Sequence, residues 1–170
     1  MKAVLISIKP KWWELIEVLK KTIEVRKTCP NIETPFKVYV YETKDVTDMP
    51  WIDEDGHYVY KGRGKVVGEF VCDEIAKYPH EPYTDGEHLM PFGELEKTCL
   101  DGWQLYDYLR TSDGYGWHIT DVKKYPIPKE LSEFRTPKNP HRIGNSHSWI
   151  LDGYKRITRP PQSWCYVEGV

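Results

Sequence analysis

Period-two alternation runs through much of this 170-residue sequence and leaves room for few helices. In KKTIEVRK (Lys20 to Lys27), Ile23 and Val25 alternate with Thr22, Glu24 and Arg26, and FKVYVYET (Phe36 to Thr43) alternates likewise. Successive side chains of a strand point to opposite faces, so each stretch offers one face to a core and keeps the other for something else. GKVVGEFVCDEI (Gly64 to Ile75) is the strongest strand pattern, and Gly68 within it predicts a bulge or a close backbone approach. AVLISI near the start, GYGWHITDVKKY (Gly114 to Tyr125) and SWCYVE near the end bring the total to five or six strands.

Helical periodicity is confined to short pieces. KWWELIEVLK (Lys11 to Lys20) puts Trp12, Leu15, Ile16 and Leu19 on one predicted face, with Pro10 at the helix start and Glu17 and Lys21 as an i, i+4 pair. Two adjacent tryptophans cannot point the same way on a helix, so one of Trp12 and Trp13 is expected at an edge or a cleft mouth. FGELEKTCLDGWQLYDYLR (Phe92 to Arg110) holds two more short helices, with Asp101 capping the second and Leu105, Tyr108 and Leu109 expected to face inward. Asp55-Gly56 suits a hairpin turn, Pro79 to Pro91 reads as a loop, and Tyr125 to Arg142 as a long irregular surface connection. Strands with few helices, out of βαβ alternation, predict an α+β fold. One domain over 1–170 is expected, a mixed sheet curled into a small barrel.

Seven tryptophans and twelve tyrosines exceed the needs of a core this size, so some are expected along a surface groove. No apolar run approaches the ~20 residues that span a bilayer, and the apolar part of MKAVLISIKP is short for a secretory signal. No membrane partner is expected, and the cytoplasm is the expected location. Cys29, Cys72, Cys99 and Cys165 lie far apart without a Cys-x-x-Cys pair, which argues against a zinc site and for idle thiols.

The net charge of -2 hides an uneven distribution. Residues 1–37 hold eight Lys/Arg against four Asp/Glu, residues 38–122 seven against eighteen, and residues 123–167 nine against three. Should the two ends of the chain meet in space, a basic face forms that suits phosphates.

Lys21, Glu24 and Arg26 are the candidate functional cluster. A carboxylate set between cations is either a plain salt-bridged strand face or the polar lining of a binding site. The histidines suggest little: His57, His80, His88, His141 and His147 are scattered through loops, and the last two, six residues apart, fit no metal-ligand spacing. No metal is expected. GRGKV (Gly62 to Val66) lacks the length and ending of a phosphate-binding loop, SHSW (Ser146 to Trp149) lacks a nucleophile elbow, and no cofactor is called for.

The order of these pieces resembles the ASCH domain, a branch of the PUA-like superfamily. The resemblance rests on IKPKW, on KKTIEVRK against the family's Gly-x-Lys-x-x-Glu-x-Arg signature, on GKVVGEFVCDEI, YGWHITDV and PKELSEF, and on the closing PPQSWCYVE. It covers nearly the whole chain, with one departure: the signature glycine is Leu19 here. The resemblance implies a pseudobarrel with a positively charged cleft beside the first helix, and RNA, single-stranded nucleic acid or a nucleotide as partner. Lys9, Lys21, Glu24 and Arg26 would line that cleft, with Trp12 and Trp117 as stacking surfaces. An enzymatic alternative is implied too. One bacterial branch hydrolyses N4-acetylcytidine with a lysine that Lys21 matches, but its nucleophilic threonine falls at Glu24, so that mechanism does not transfer. Ribonuclease chemistry would use Lys21 and Glu24 as an acid–base pair, with His118 as the candidate partner.

Overall fold

A computed structural model describes residues 3–44, 51–52, 58–59, 62–80, 90–139, 141–142, 149–150 and 152–169. The chain runs through β1 (Ala3–Ile8), α1 (Pro10–Glu17), β2 (Ile23–Arg26), β3 (Phe36–Glu42), β4 (Trp51–Ile52), β5 (Tyr58–Val59) and β6 (Lys65–Tyr78). Then follow α2 (Phe92–Thr98), α3 (Gly102–Leu109), β7 (Gly114–Lys129), a 3-10 turn (Leu131–Glu133), β8 (Arg135–Pro137), β9 (His141–Arg142), β10 (Trp149–Ile150), β11 (Tyr154–Arg156) and β12 (Trp164–Val167). β4 pairs with β5, β9 with β10 and β8 with β11 as separate two-stranded ribbons. The Asp55-Gly56 turn and the side chains of His57, His88, His141, Ser146 and His147 lie outside the described residues.

The main sheet has six strands in the order β12-β1-β3-β6-β7-β2, with β1 and β3 parallel and every other pair antiparallel. Laid flat, its edge strands would stand about 24 Å apart, five strand spacings of ~4.8 Å. Instead the edges meet. Trp164 Nε1 donates to Thr28 Oγ1 at 3.0 Å, joining the start of β12 to the end of β2, and Arg26 Nη1 reaches Ser163 Oγ at 3.5 Å. Register shifts along β6 and β7, between Val66 and Gly68, Glu69 and Val71, and Cys72 and Ile75, bend these two long strands enough to bring the edges round. A small α+β barrel of mixed strands results, as the strand pattern predicts.

Three apolar clusters hold the barrel. Val4, Ile6, Ile8, Val38, Val40, Phe70 and Trp117 share one face of the sheet, and α1 closes it with Trp13 and Ile16. On the opposite face, Leu5, Tyr39 and Val66 pack under Tyr125, Phe134 and Ile157. At the far end of that face Ile23 and Val25 pack under Leu95 of α2 and Leu105 and Leu109 of α3. Gly68 is required by the first cluster: a Cβ there would come within 2.5 Å of the Lys123 carbonyl and 2.6 Å of the Trp13 ring. It marks both the bulge and the close approach.

Three expectations need correction. Pro10, Trp13 and Ile16 are the buried positions of α1, whereas Leu19 is 62% exposed, because the helix stops at Glu17 and the chain turns back through a left-handed Leu19 (φ 58°). Tyr108 faces outward, 39% exposed, while Leu105 and Leu109 fill the core. The stretch from Tyr125 is not irregular: β7 continues to Lys129 and β8 follows, with Phe134 buried edge-on to Tyr39. Its prolines mislead because they sit where ladder donors are not needed.

Candidate functional site

Alternation along β2 sends Ile23 and Val25 under α2 and α3, and so sends Glu24 and Arg26 to the inner face of the barrel, where Glu24 registers with Trp117. There the three charged residues form one cluster. Glu24 Oε1 lies 2.9 Å from Arg26 Nη2 and Oε2 lies 3.3 Å from Lys21 Nζ. Lys21, Glu24 and Arg26 are all buried, so two cations share one carboxylate out of bulk water. Arg26 Nη2 also donates to the Ser7 carbonyl at 2.7 Å, which ties β2 to β1 beside the seam where the edges of the sheet meet. Lys21 Nζ donates to the Thr98 carbonyl at 2.6 Å, capping the last turn of α2, where unpaired carbonyls favour a cation. The Arg26 Nε is buried with no acceptor among the described residues.

The turn before β2 places this cluster. Lys20 and Lys21 both donate their backbone N–H groups to the Leu15 carbonyl, at 2.9 and 3.0 Å, and Leu19 takes the left-handed conformation that glycine adopts most easily. Thr22 then donates to the Lys97 carbonyl at 2.9 Å and docks β2 on α2.

Above the cluster lies a cleft of about 670 Å³, within the usual range for ligand sites. Lys9 and Trp12 come from the α1 side, Gln104, Asp107 and Tyr108 from α3, and Gln162 from the segment before β12. Lys21, Glu24 and Arg26 form part of the lining. Lys21 Nζ stands 5.2 Å from the centre of the Trp12 ring, and Lys27 Nζ 5.5 Å from that of Tyr108, both within cation–π range. Burial raises the Tyr108 phenol above its ordinary value; the charge of Arg26 opposes this and that of Glu24 adds to it.

Five of the six residues singled out in the sequence, Lys9, Trp12, Lys21, Glu24 and Arg26, line this cleft. Trp117 does not. It is wholly buried, edge-on to Phe36 at 5.8 Å and 5.9 Å from Trp164, so its ring belongs to the core and offers no stacking surface. His118 points to the other face of β7, where its Nδ1 lies 2.7 Å from Asp73 Oδ1, and it takes no part in the cleft. Sequence reasoning misses Tyr108, Gln104 and Asp107. The signal is present: with Asp101 fixed as the cap and Leu105 and Leu109 turned inward, positions 104, 107 and 108 share the neighbouring face.

No family model and no curated protein matches the chain. Solved structures do. The ASCH protein of Zymomonas mobilis superposes with a TM-score of 0.61 over 98% of this chain and 88% of its own, at 19% identity. The fold is ASCH-like. A tyrosine-to-phenylalanine mutant of the Zymomonas protein matches at a TM-score of 0.61 over 99% of this chain and 91% of its own, and a serine-to-alanine mutant at 0.60 over 98% and 89%, both at 19% identity. In the ASCH-like frame of this chain, the cleft opens between α1, α3 and the closing edge of the barrel.

Among the described residues no group of three His, Cys, Asp or Glu side chains could hold a metal ion, and no helix is long and apolar enough to cross a membrane. Cys72 is buried, and burial pushes its thiol up to about 12; Cys165 is pushed up to about 11 for the same reason.

Proposed function

We propose that the cleft binds a nucleotide unit of RNA or of another single-stranded nucleic acid. One observation carries the reading: a buried cluster with two cations to one carboxylate faces a concavity with an aromatic ring on either side. The second buried cation lacks a full counter-charge, which is unfavourable until an anion enters. A phosphate supplies that charge. Trp12 and Tyr108 are the rings available for a base, each stack contributing about 1–3 kcal/mol. The ASCH-like fold and the likeness of KKTIEVRK to the ASCH signature support the same partner class.

Acid–base chemistry by Lys21 and Glu24 is the weaker reading. Both Glu24 oxygens are engaged by cations, Lys21 is spent on the Thr98 carbonyl, and His118 lies on the other face.

The test is calorimetric titration with the four nucleoside 5'-monophosphates and with short single-stranded RNA. Arg26→Gln is expected to weaken binding at least about tenfold, the value of one charge-assisted hydrogen bond, and salt is expected to weaken wild-type binding. A folded Arg26→Gln protein with wild-type affinity would sink the reading.

A further inference from the structure

Arg135 and Arg156 stand directly opposite each other on the β8–β11 ribbon. The ladder bonds flanking them, from the Ile157 N–H to the Phe134 carbonyl (3.0 Å) and from the Lys138 N–H to the Gly153 carbonyl (2.8 Å), make theirs a non-hydrogen-bonded pair. Pro137 fits the same pattern, since it occupies the next position that needs no ladder donor. In such a pair the Cβ atoms are about 4.5–5.5 Å apart, and like charges there are destabilising. Arg135 has one counter-charge, Glu168 at 3.5 Å; Arg156 has none among the described residues. Tyr154 adds its ring 5.9 Å from the Arg135 guanidinium, and Lys155 and Arg159 are exposed nearby in the chain.

A like-charge pair beside an aromatic ring is unfavourable by itself and suits a bound phosphate. Its place in the fold links it to the cleft. From β11 the chain passes Arg159, Pro160 and Pro161 to Gln162 in the cleft wall, and Ser7 Oγ donates to the Pro161 carbonyl at 2.6 Å to hold that segment against β1. Gln162 follows Arg156 by six positions, so the two lie within about 20 Å.

We propose that the β8–β11 ribbon is a second contact for single-stranded RNA, with Arg135 and Arg156 sharing a backbone phosphate of the strand whose nucleotide occupies the cleft. This rests on the cleft being a nucleotide site and extends it from a single nucleotide to a strand.

The experiment compares wild type with an Arg135→Gln/Arg156→Gln double variant. Binding of the four nucleoside 5'-monophosphates and of a mixed-sequence RNA of roughly 12 nucleotides is measured between about 50 and 200 mM salt. The variant is expected to keep wild-type affinity for the monophosphates and to bind the RNA about tenfold more weakly. The slope of log K against log salt should become shallower by about 0.7 for each phosphate that the variant no longer neutralises. Unchanged RNA affinity and slope, with the monophosphates still bound, would overturn the ribbon contact and leave the cleft reading standing. Wild-type protein that binds neither ligand overturns both. An oligoglutamate peptide that binds as tightly as the RNA, with the same dependence on both arginines, overturns the assignment to nucleic acid. Should the double variant fail to fold, Arg156→Gln alone, which keeps the Arg135–Glu168 pair, carries the same comparison.

Discussion

Glu24 holds Arg26 across a single intervening residue of β2, Oε1 to Nη2 at 2.9 Å, with both side chains buried against the inner wall of the barrel. The carboxylate thus stands between the barrel and the repulsion of two cations, Arg26 on one oxygen and Lys21 on the other. Replacing it exposes that repulsion. Glu24→Gln is expected to lower unfolding stability by about 3 kcal/mol, the usual cost of breaking a buried pair from one side. Added phosphate should restore a larger part of the stability in the variant than it adds to wild type, because it replaces the missing charge. Urea titrations with and without phosphate measure both effects; a variant as stable as wild type would show that the cluster is hydrated.

Trp12 and Trp117 separate stability from binding. Trp12 is half-buried at the cleft wall, whereas Trp117 is wholly enclosed by core rings. Trp12→Ala is therefore expected to weaken nucleotide affinity by about 1–3 kcal/mol with a smaller effect on folding. Trp117→Phe, which keeps most of the core volume, should destabilise the fold by about 1–3 kcal/mol and leave affinity near wild type. Equilibrium unfolding and titration on the same two proteins decide between them; a loss of affinity confined to the Trp117 variant would reverse the assignment.

Leu19 supplies a test of the turn. Its left-handed backbone is strained for a side chain with a Cβ, and its exposed side chain buries little. Leu19→Gly relieves the strain but adds freedom to the unfolded chain, so the net effect is expected to be a gain of up to about 1 kcal/mol. Thermal unfolding reads it directly. A clear destabilisation would mean that the Leu19 side chain makes a contact that matters more than the backbone.

How much of this is legible in the sequence depends on whether a residue's role is set locally. Alternation in β2 fixes which side chains share a face, and five of the six named residues come together in the cleft. Alternation cannot say which face is inside, however. The charged face of β2 points into the barrel because α2 and α3, distant in sequence, cover Ile23 and Val25. Trp117 is misread for the same reason: its burial depends on Phe36 and Trp164, which reach it only when the sheet closes. The prolines of 126–137 suggest a surface loop, yet Pro126 and Pro128 fall in a register shift of β7 and Pro137 at a non-hydrogen-bonded position of β8. The spacing of Tyr108 from Leu105 points it inward, although the helix face it occupies opens on the cleft.

Alkaline pH offers a last test, independent of any ligand. The thiols of Cys72 and Cys165 are held at about 12 and about 11, above their ordinary 9.0, chiefly by burial. Tyr78 and Tyr125 are raised as well, by burial first and then by hydrogen bonds to Glu94 and Glu69. In each case the folded state keeps a proton that the unfolded chain releases at lower pH. The stability these groups contribute is present in full below about pH 9 and falls as pH rises toward the folded values, by roughly 1.4 kcal/mol per pH unit for each group that titrates only when unfolded. Denaturant midpoints should therefore hold steady near neutrality and drop steeply above pH 9. Cys72 in folded protein at pH 8, its thiol kept protonated by burial, should resist alkylation far longer than Cys72 in denatured protein. Rapid labelling of Cys72 in the folded protein, read by mass spectrometry, would show that the inner face of the barrel opens to solvent.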